Sequence, residues 1–241
     1  MMRKWCVVAL LAISSMLFAT LGEAAGPLAD AAVAKRIQAA IPSLPITAVR
    51  QAPIAGLYEL QVGRNIFYSD ADGSHLISGG QIFDTATKHN LTRDRLEEIN
   101  RMDWSTLPLD KAVVSGDPKG KLKLAIFTDP ECPYCRKFEH ELASVKGVKV
   151  YSFLFPLSFH KHAKRWATAI WCSKDQHKTM TDIMLHDANP AAGKCATPLD
   201  DIAKLAKQLH ITGTPTLISG DGRIASGGKS AADLMRWLER R

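Results

Sequence analysis

The sequence predicts an α+β chain made of two unequal units, and three observations lead to that class. Residues 56–83 contain three short strand-like runs separated by turn residues, and residues 121–155 read strand, helix, strand. A loop-rich stretch between them, with Pro108, Gly116-Asp117-Pro118 and Lys119-Gly120, marks a boundary.

The N-terminus reads as a leader. Arg3 and Lys4 precede an apolar run from Cys6 to Leu21, which ends in Gly22-Glu23-Ala24-Ala25, the pattern of a cleaved export signal over residues 1–24. The run is shorter than the roughly 20 apolar residues a spanning helix needs, so a membrane anchor is disfavoured. The mature chain is expected to begin near Ala25.

The first unit, residues 25–87, opens with Leu28, Ala32, Val33 and Ile37 at helical spacing, ending before Pro42 and Pro45. Strand-like runs follow at Gly56–Val62, Asn65–Ser69 and His75–Ser78, the last continuing toward Ile82-Phe83. Arg64-Asn65 can turn the first pair, and Asp70-Ala71-Asp72-Gly73 is a strong hairpin signal. The unit has no cysteine and no cluster of catalytic residue types. About 60 residues bury too little surface to be comfortable alone, so pairing with a second copy is expected.

A linking helix is expected over residues 88–106. In the stretch Asn90–Trp104, Leu91, Leu96, Ile99 and Met102 mark one face and charged residues fill the other, the pattern of an exposed connector.

The second unit, residues 107–241, carries the clearest pattern. Lys121–Thr128 alternates and then turns fully apolar, as a central strand does; Pro133–Val145 is helical, and Val148–Phe155 is a second strand. That spacing predicts a βαβ crossover with parallel strands. A mainly helical stretch His162–Asp187, a helix Leu199–Leu209, a strand Thr216–Ser219, a turn at Gly220–Gly222, a short strand and a terminal helix Ala231–Arg240 complete it.

The formal net charge of +7 is dispersed among acids, and no Lys/Arg cluster with interleaved aromatics is present, which excludes a nucleic-acid-binding tract. Of five cysteines, Cys6 leaves with the leader. Cys132, Cys135, Cys172 and Cys195 remain, an even number in an exported chain, for which two disulfides are the default and three pairings are open.

Placement separates these cysteines. Cys132 follows a strand and precedes the first turn of a helix, with Pro133 where a missing N–H costs nothing. Unpaired backbone N–H groups and the positive end of the helix dipole favour thiolate there, and cysteines in this setting have pKa values lowered to about 3.5–7.5. Cys135, one turn on, is then the resolving thiol. A metal site would need four ligands, and Cys172 and Cys195 lack a close partner at metal spacing, so no metal is expected. A staple is also disfavoured, because a two-residue disulfide loop constrains little unfolded-state entropy.

Thr212-Gly213-Thr214-Pro215-Thr216 precedes a later apolar strand. Together with Cys132-Pro133-Tyr134-Cys135 on a helix after a strand, it resembles the thioredoxin fold. The resemblance implies that Pro215 is a cis-proline beside the cysteine pair, that Thr214 faces the client, and that Pro133 and Tyr134 join that contact surface. An extended client peptide would lie there as an added strand. Over essentially the whole mature chain the order of units is similar to the DsbC/DsbG family. Phe127-Thr128-Asp129, Ala169-Ile170-Trp171-Cys172 and Gly213-Thr214-Pro215 carry the likeness.

This resemblance implies a small cystatin-like α+β dimerisation domain, a linker helix and a thioredoxin-like catalytic domain with a helical insertion. It further implies a V-shaped periplasmic homodimer acting on misfolded disulfide-containing exported proteins, kept reduced by the membrane reductant DsbD and needing no cofactor. Pro133-Tyr134 is the DsbG dipeptide, whereas DsbC carries Gly-Tyr; the extra pair Cys172 and Cys195 is a DsbC feature. These two lie in or beside the insertion, away from any second helix-dipole setting. They are assigned to a structural disulfide closing a loop that contributes roughly 3 kcal/mol.

Other candidates are weaker. His160 and His162 flank Lys161 and read as solvated, while Asp129 and Glu131 would raise the pKa of Cys132. The buried aspartate that thioredoxin carries six residues before its first cysteine falls here on Ile126. The expected activity is disulfide isomerisation. Two alternatives stay open at this level: a DsbG-like reductase that protects single cysteines from oxidation, and a chaperone whose cysteine pair is structural.

Overall fold

A computed structural model describes residues 26–240; the leader expected over residues 1–24 lies outside the described residues. The N-terminal unit begins with α1 (Ala31–Ala40), capped by Asp30, whose Oδ1 accepts the Ala32 N–H at 2.7 Å. Four strands follow, β1 (Ala48–Gln51), β2 (Leu57–Val62), β3 (Asn65–Asp70) and β4 (Leu76–Ser78), forming an antiparallel meander in the order β1-β2-β3-β4. Ile37 of α1 packs on Val49 and Leu60 to form the buried centre of the unit. Strand β1 had no expectation attached to it, because Ala-Val-Arg-Gln is too short and too polar to stand out as a periodic run.

A two-stranded ribbon of β5 (Phe83–Asp84) and β6 (His89–Asn90) leads into α2 (Leu91–Ile99). The connector is therefore shorter than the expected helix, and it is not simply exposed. Its buried residues are Thr92, Arg95 and Glu97, all polar, rather than the apolar set read from the sequence. Toward the N-terminal sheet, Arg95 Nε donates to Glu59 Oε1 at 3.0 Å and the Tyr68 and Thr92 hydroxyls meet at 2.5 Å. Toward the other unit, Glu97 Oε2 accepts from Trp237 Nε1 at 2.6 Å and from Arg240 Nη2 at 2.7 Å. Buried charges persist only when paired, and here pairing with both neighbours makes a polar face the packing face.

The C-terminal unit is a five-stranded mixed sheet. Its strands are β7 (Val113–Gly116), β8 (Leu122–Thr128), β9 (Val148–Leu154), β10 (Thr216–Ser219) and β11 (Ile224–Ser226), in the order β11-β10-β8-β9-β7. β8 and β9 run parallel through the crossover helix α3 (Pro133–Leu142), and the other pairings are antiparallel. Central β8 splits its side chains between two cores, as strand alternation requires. Leu124 and Ile126 face Phe138, Leu234 and Trp237, while Ala125 and Phe127 face Phe153, Ile202 and Ala206. Helix α7 (Ala231–Glu239) covers the first face and α6 (Leu199–Gln208) the second.

The helical stretch expected over 162–187 is two helices, α4 (Ala163–Trp171) and α5 (Gln176–His186), broken at Cys172. Edge strand β7 falls inside the segment read as loop, because it pairs with β9 from a distance and has only four residues of its own. Gly222 illustrates a close approach: its φ is +88°, and a Cβ there would meet the Met102 carbonyl oxygen at 1.9 Å.

Candidate functional site

Strand β8 ends at Thr128, and the turn Asp129–Glu131 brings the chain to Cys132, the residue that caps α3 with an extended φ/ψ of −65°/122°. Pro133 occupies the first helical position, where its missing N–H removes a donor that the helix end leaves unpaired in any case. The Cys132 side chain makes no capping bond; its thiol instead donates to the Thr214 carbonyl oxygen across 3.5 Å. Thr214-Pro215 is a cis peptide, so the loop ahead of β10 lies directly against the cysteine.

Cys135 lies one turn further and deeper. Its Sγ accepts the Asp129 N–H at 3.4 Å. Burial pushes the Cys135 thiol up to about 12, partly opposed by that N–H and by the nearby Thr128 and Thr214 hydroxyls, and the neighbouring Cys132 adds to the rise. Thr214 Oγ1 is buried with no hydrogen-bond partner among the described residues. The two cysteines are both free thiols, packed with Ala167, Ile170, Met180 and Ile183 of the insertion. One sulfur thus meets the helix end and the cis-proline loop, and the other is held protonated beneath it. That division suits a nucleophile and a resolving thiol.

Asp129 has partners that the sequence did not show. It is completely buried, its Oδ1 accepting the Glu131 N–H at 2.8 Å and its Oδ2 the Leu157 N–H at 2.7 Å. His160, expected to be solvated, is also bonded to it: Nδ1 meets Asp129 Oδ2 at 2.8 Å, and the imidazole is only 18% exposed. The carboxylate ties the loop before Cys132 to the loop after β9. A buried aspartate is therefore present after all, three residues before the first cysteine rather than six. Sequence spacing could not find it, because the partners at Leu157 and His160 come from another loop.

Glu131 Oε2 accepts the His162 N–H at 2.5 Å, which fastens the same turn to the start of α4. Arg136 donates to Pro130 O at 3.0 Å and to Asp187 at 2.5 Å, and its guanidinium lies 5.3 Å from the Trp166 ring centroid. The insertion is thereby packed onto the helix that carries the cysteines. Cys172 and Cys195 form a disulfide with a Cα–Cα distance of 5.7 Å.

Both cysteines are buried, Cys132 being 4% exposed and Cys135 1%, while two aromatic side chains of the same unit are not. Tyr134 is 71% exposed and Phe159 74%, both unusual for aromatic side chains in a folded chain. A cavity of about 720 Å³ lies between the β2–β3 turn, α2 and the cis-proline loop, with Arg64, Arg93, Thr212, Thr214 and Pro215 among its walls. Among the described residues no group of three or more His, Cys, Asp or Glu is placed to hold a metal, and no helix is long and apolar enough to cross a membrane.

Comparisons with known proteins agree with this geometry. Residues 24–93 match the model of the disulfide bond isomerase protein N-terminal domain, and residues 109–241 match that of the thioredoxin-like domain. A probable thiol:disulfide interchange protein DsbC of Bordetella avium is 36% identical over 214 residues, covering 89% of this chain and 76% of that protein. The thiol:disulfide interchange protein DsbC of Escherichia coli (strain K12) is 26% identical over 196 residues, covering 79% of this chain and 80% of that one. A crystal structure of a disulfide interchange protein from Neisseria gonorrhoeae superposes with a TM-score of 0.52 at 36% identity, covering 56% of this chain and all of that one. The DsbC name carried by these curated relatives does not favour the DsbG-like alternative. With a thioredoxin-like sheet, a free Cys-x-x-Cys pair at a helix start and relatives of this similarity along most of its length, the chain belongs to the DsbC family of thiol:disulfide interchange proteins.

Proposed function

We propose that this chain is a periplasmic, homodimeric protein disulfide isomerase in which Cys132 is the nucleophile and Cys135 the resolving thiol. Residues 1–24 are the export signal, 25–87 the dimerisation domain, 88–106 the linker and 107–241 the catalytic domain. The observation that carries the reading is the position of Cys132 Sγ, 3.5 Å from the Thr214 carbonyl at the cis Thr214-Pro215 bond and at the start of α3. Thr214 and Pro215 then align an extended client segment, while Pro133 and Tyr134 contact it from the helix side.

In the reaction, the Cys132 thiolate attacks one sulfur of a client disulfide. A bond forms between Cys132 Sγ and that sulfur, and the other client sulfur leaves as thiolate. If another client thiolate attacks the mixed disulfide, Cys132 is released and the client disulfide has moved, with no net oxidation. If Cys135 loses its proton and attacks Cys132 Sγ instead, the client leaves reduced and the enzyme is left oxidised. That outcome requires an external dithiol reductant, the part assigned to DsbD. The high pKa of Cys135 slows this escape and leaves time for rearrangement within the client.

Two exposed apolar residues on β4, Leu76 and Ile77, support a second copy at the N-terminal unit. Recovery of a scrambled multi-disulfide protein by the pre-reduced mature chain tests the assignment. Recovery should be lost in Cys132→Ser; retained recovery would sink it.

A further inference from the structure

On the side of α3 that faces α5 and the β7–β9 edge lies a cavity of about 360 Å³. That volume falls within the range of small-ligand sites. Leu142, Val145, Val150 and Leu185 supply apolar walls, and neither active-site cysteine lines it. Glu139 does, although it is only 8% exposed. Its carboxyl has no hydrogen-bond or ion-pair partner among the described residues, and burial pushes it up to about 7. Glu139 is not among the side chains whose polar atoms are both sealed from water and unpaired, so its carboxyl faces the cavity, where a ligand can take the place of solvent.

The chemistry that completes it is narrow. The missing group must donate hydrogen bonds and offset a negative charge, and it must be borne on something that fills aliphatic walls. We propose that this cavity binds a primary ammonium on an aliphatic stem, with Glu139 as counter-ion and Leu142, Val145, Val150 and Leu185 around the stem. A free alkylamine and the lysine side chain of a partner share that chemistry.

The pH dependence has a definite sign. The ligand needs ionised Glu139, so affinity rises as pH rises through about 7 and holds until the amine itself loses its proton. His177 of α5 is the other titratable side chain on the walls, with Thr181 and Ser115 the neutral polar ones. Protonated His177 would repel a cation, which acts in the same direction, so His177→Gln separates the two contributions.

The test is a methyl-NMR titration of the mature protein with n-hexylammonium chloride, with n-hexanol as the neutral control. Saturable shifts of the Leu142, Val145, Val150 and Leu185 methyls are expected with the ammonium alone. They should weaken about tenfold or more in Glu139→Gln, and by a similar factor on lowering the pH from about 8 to about 5.5, a dependence that His177→Gln keeps. Disulfide exchange by Glu139→Gln should equal that of wild type, which keeps this result independent of the catalytic assignment. Nα-acetyl-lysine methylamide distinguishes the sources: binding equal to hexylammonium points to a partner's lysine, and its exclusion points to a free amine. Absence of saturable shifts, equal binding of hexanol, or unchanged binding by Glu139→Gln would each overturn the proposal.

Discussion

The two units of this chain complete their cores to different degrees. In the C-terminal unit both faces of the sheet are covered, by α3 and α7 on one side and α6 on the other, and Leu124, Phe127, Phe153 and Leu217 lose all contact with water. The N-terminal unit has one helix on one face, a core centred on Ile37, Val49 and Leu60, and an edge strand, β4, in which all three residues are exposed. Leu76 and Ile77 on that edge are 42% and 44% exposed. One unit is self-sufficient in burial, and the other leaves apolar surface and unpaired strand groups of the kind a second copy covers.

Deleting Ala25–Thr87 should break the comparison most severely. The remaining chain is expected to sediment as a monomer and to lose about tenfold or more of its isomerase activity, because two sites no longer act on one client. Reduction of a simple disulfide should persist. Retained isomerisation by that monomer would detach function from the first unit.

Arg95→Ala comes next, since it leaves Glu59 buried without its partner. A cost of about 3–5 kcal/mol is expected, read as a shifted denaturant midpoint. If α2 only bridges exposed surfaces, the shift will be much smaller.

In the C-terminal unit Glu139→Gln should act the other way. The folded carboxyl is held near 7 against an ordinary value of 4.5, so folding favours the protonated form. The native protein is therefore most stable, as far as this group goes, below about pH 4.5, and that contribution is lost as pH rises through about 7. Above that window the variant should be the more stable by about 3 kcal/mol, and below it the two should coincide. Thermal unfolding across that range checks both halves.

The smallest effect on folding is expected from Ile77→Lys. An exposed edge position changes a chain's own stability by roughly 0.5 kcal/mol or less, yet a charge there should dissociate the proposed dimer. Light scattering against protein concentration separates the two. A dimer unaffected by the lysine would move the interface elsewhere on the unit.

Much of the site could be read from the sequence because its signals are local. The Cys-Pro-Tyr-Cys run sits at a junction defined by a few neighbouring residues, and Pro133 is suited to a first helical turn whatever else surrounds it. Long apolar runs such as Lys121–Thr128 and Val148–Phe155 declare themselves as central strands, and their spacing restricts the connection to a parallel crossover. The Thr214-Pro215 loop was legible only because it occurred together with the cysteines.

What escaped was short or depended on distant partners. Four-residue strands β1 and β7 carry too few positions for periodicity to register, and each is held by a longer strand beside it. The connector α2 shows an apolar stripe in sequence, but its buried face is Thr92, Arg95 and Glu97, because Glu59, Trp237 and Arg240 approach from two units and satisfy it. Asp129 and His160 lie 31 positions apart and meet only where two loops fold together.

By itself, then, the sequence determined the placement of the cysteine pair at the end of β8 and the crossover that presents it, since both depend on residues within a turn or two of one another. Tertiary structure decided which charged groups are buried and what answers them: His160 against Asp129, Glu59 against Arg95, and, among the described residues, nothing against Glu139. The reason is physical, because the cost of a buried charge is set by groups brought close in space, and their positions along the chain carry no local mark of that approach.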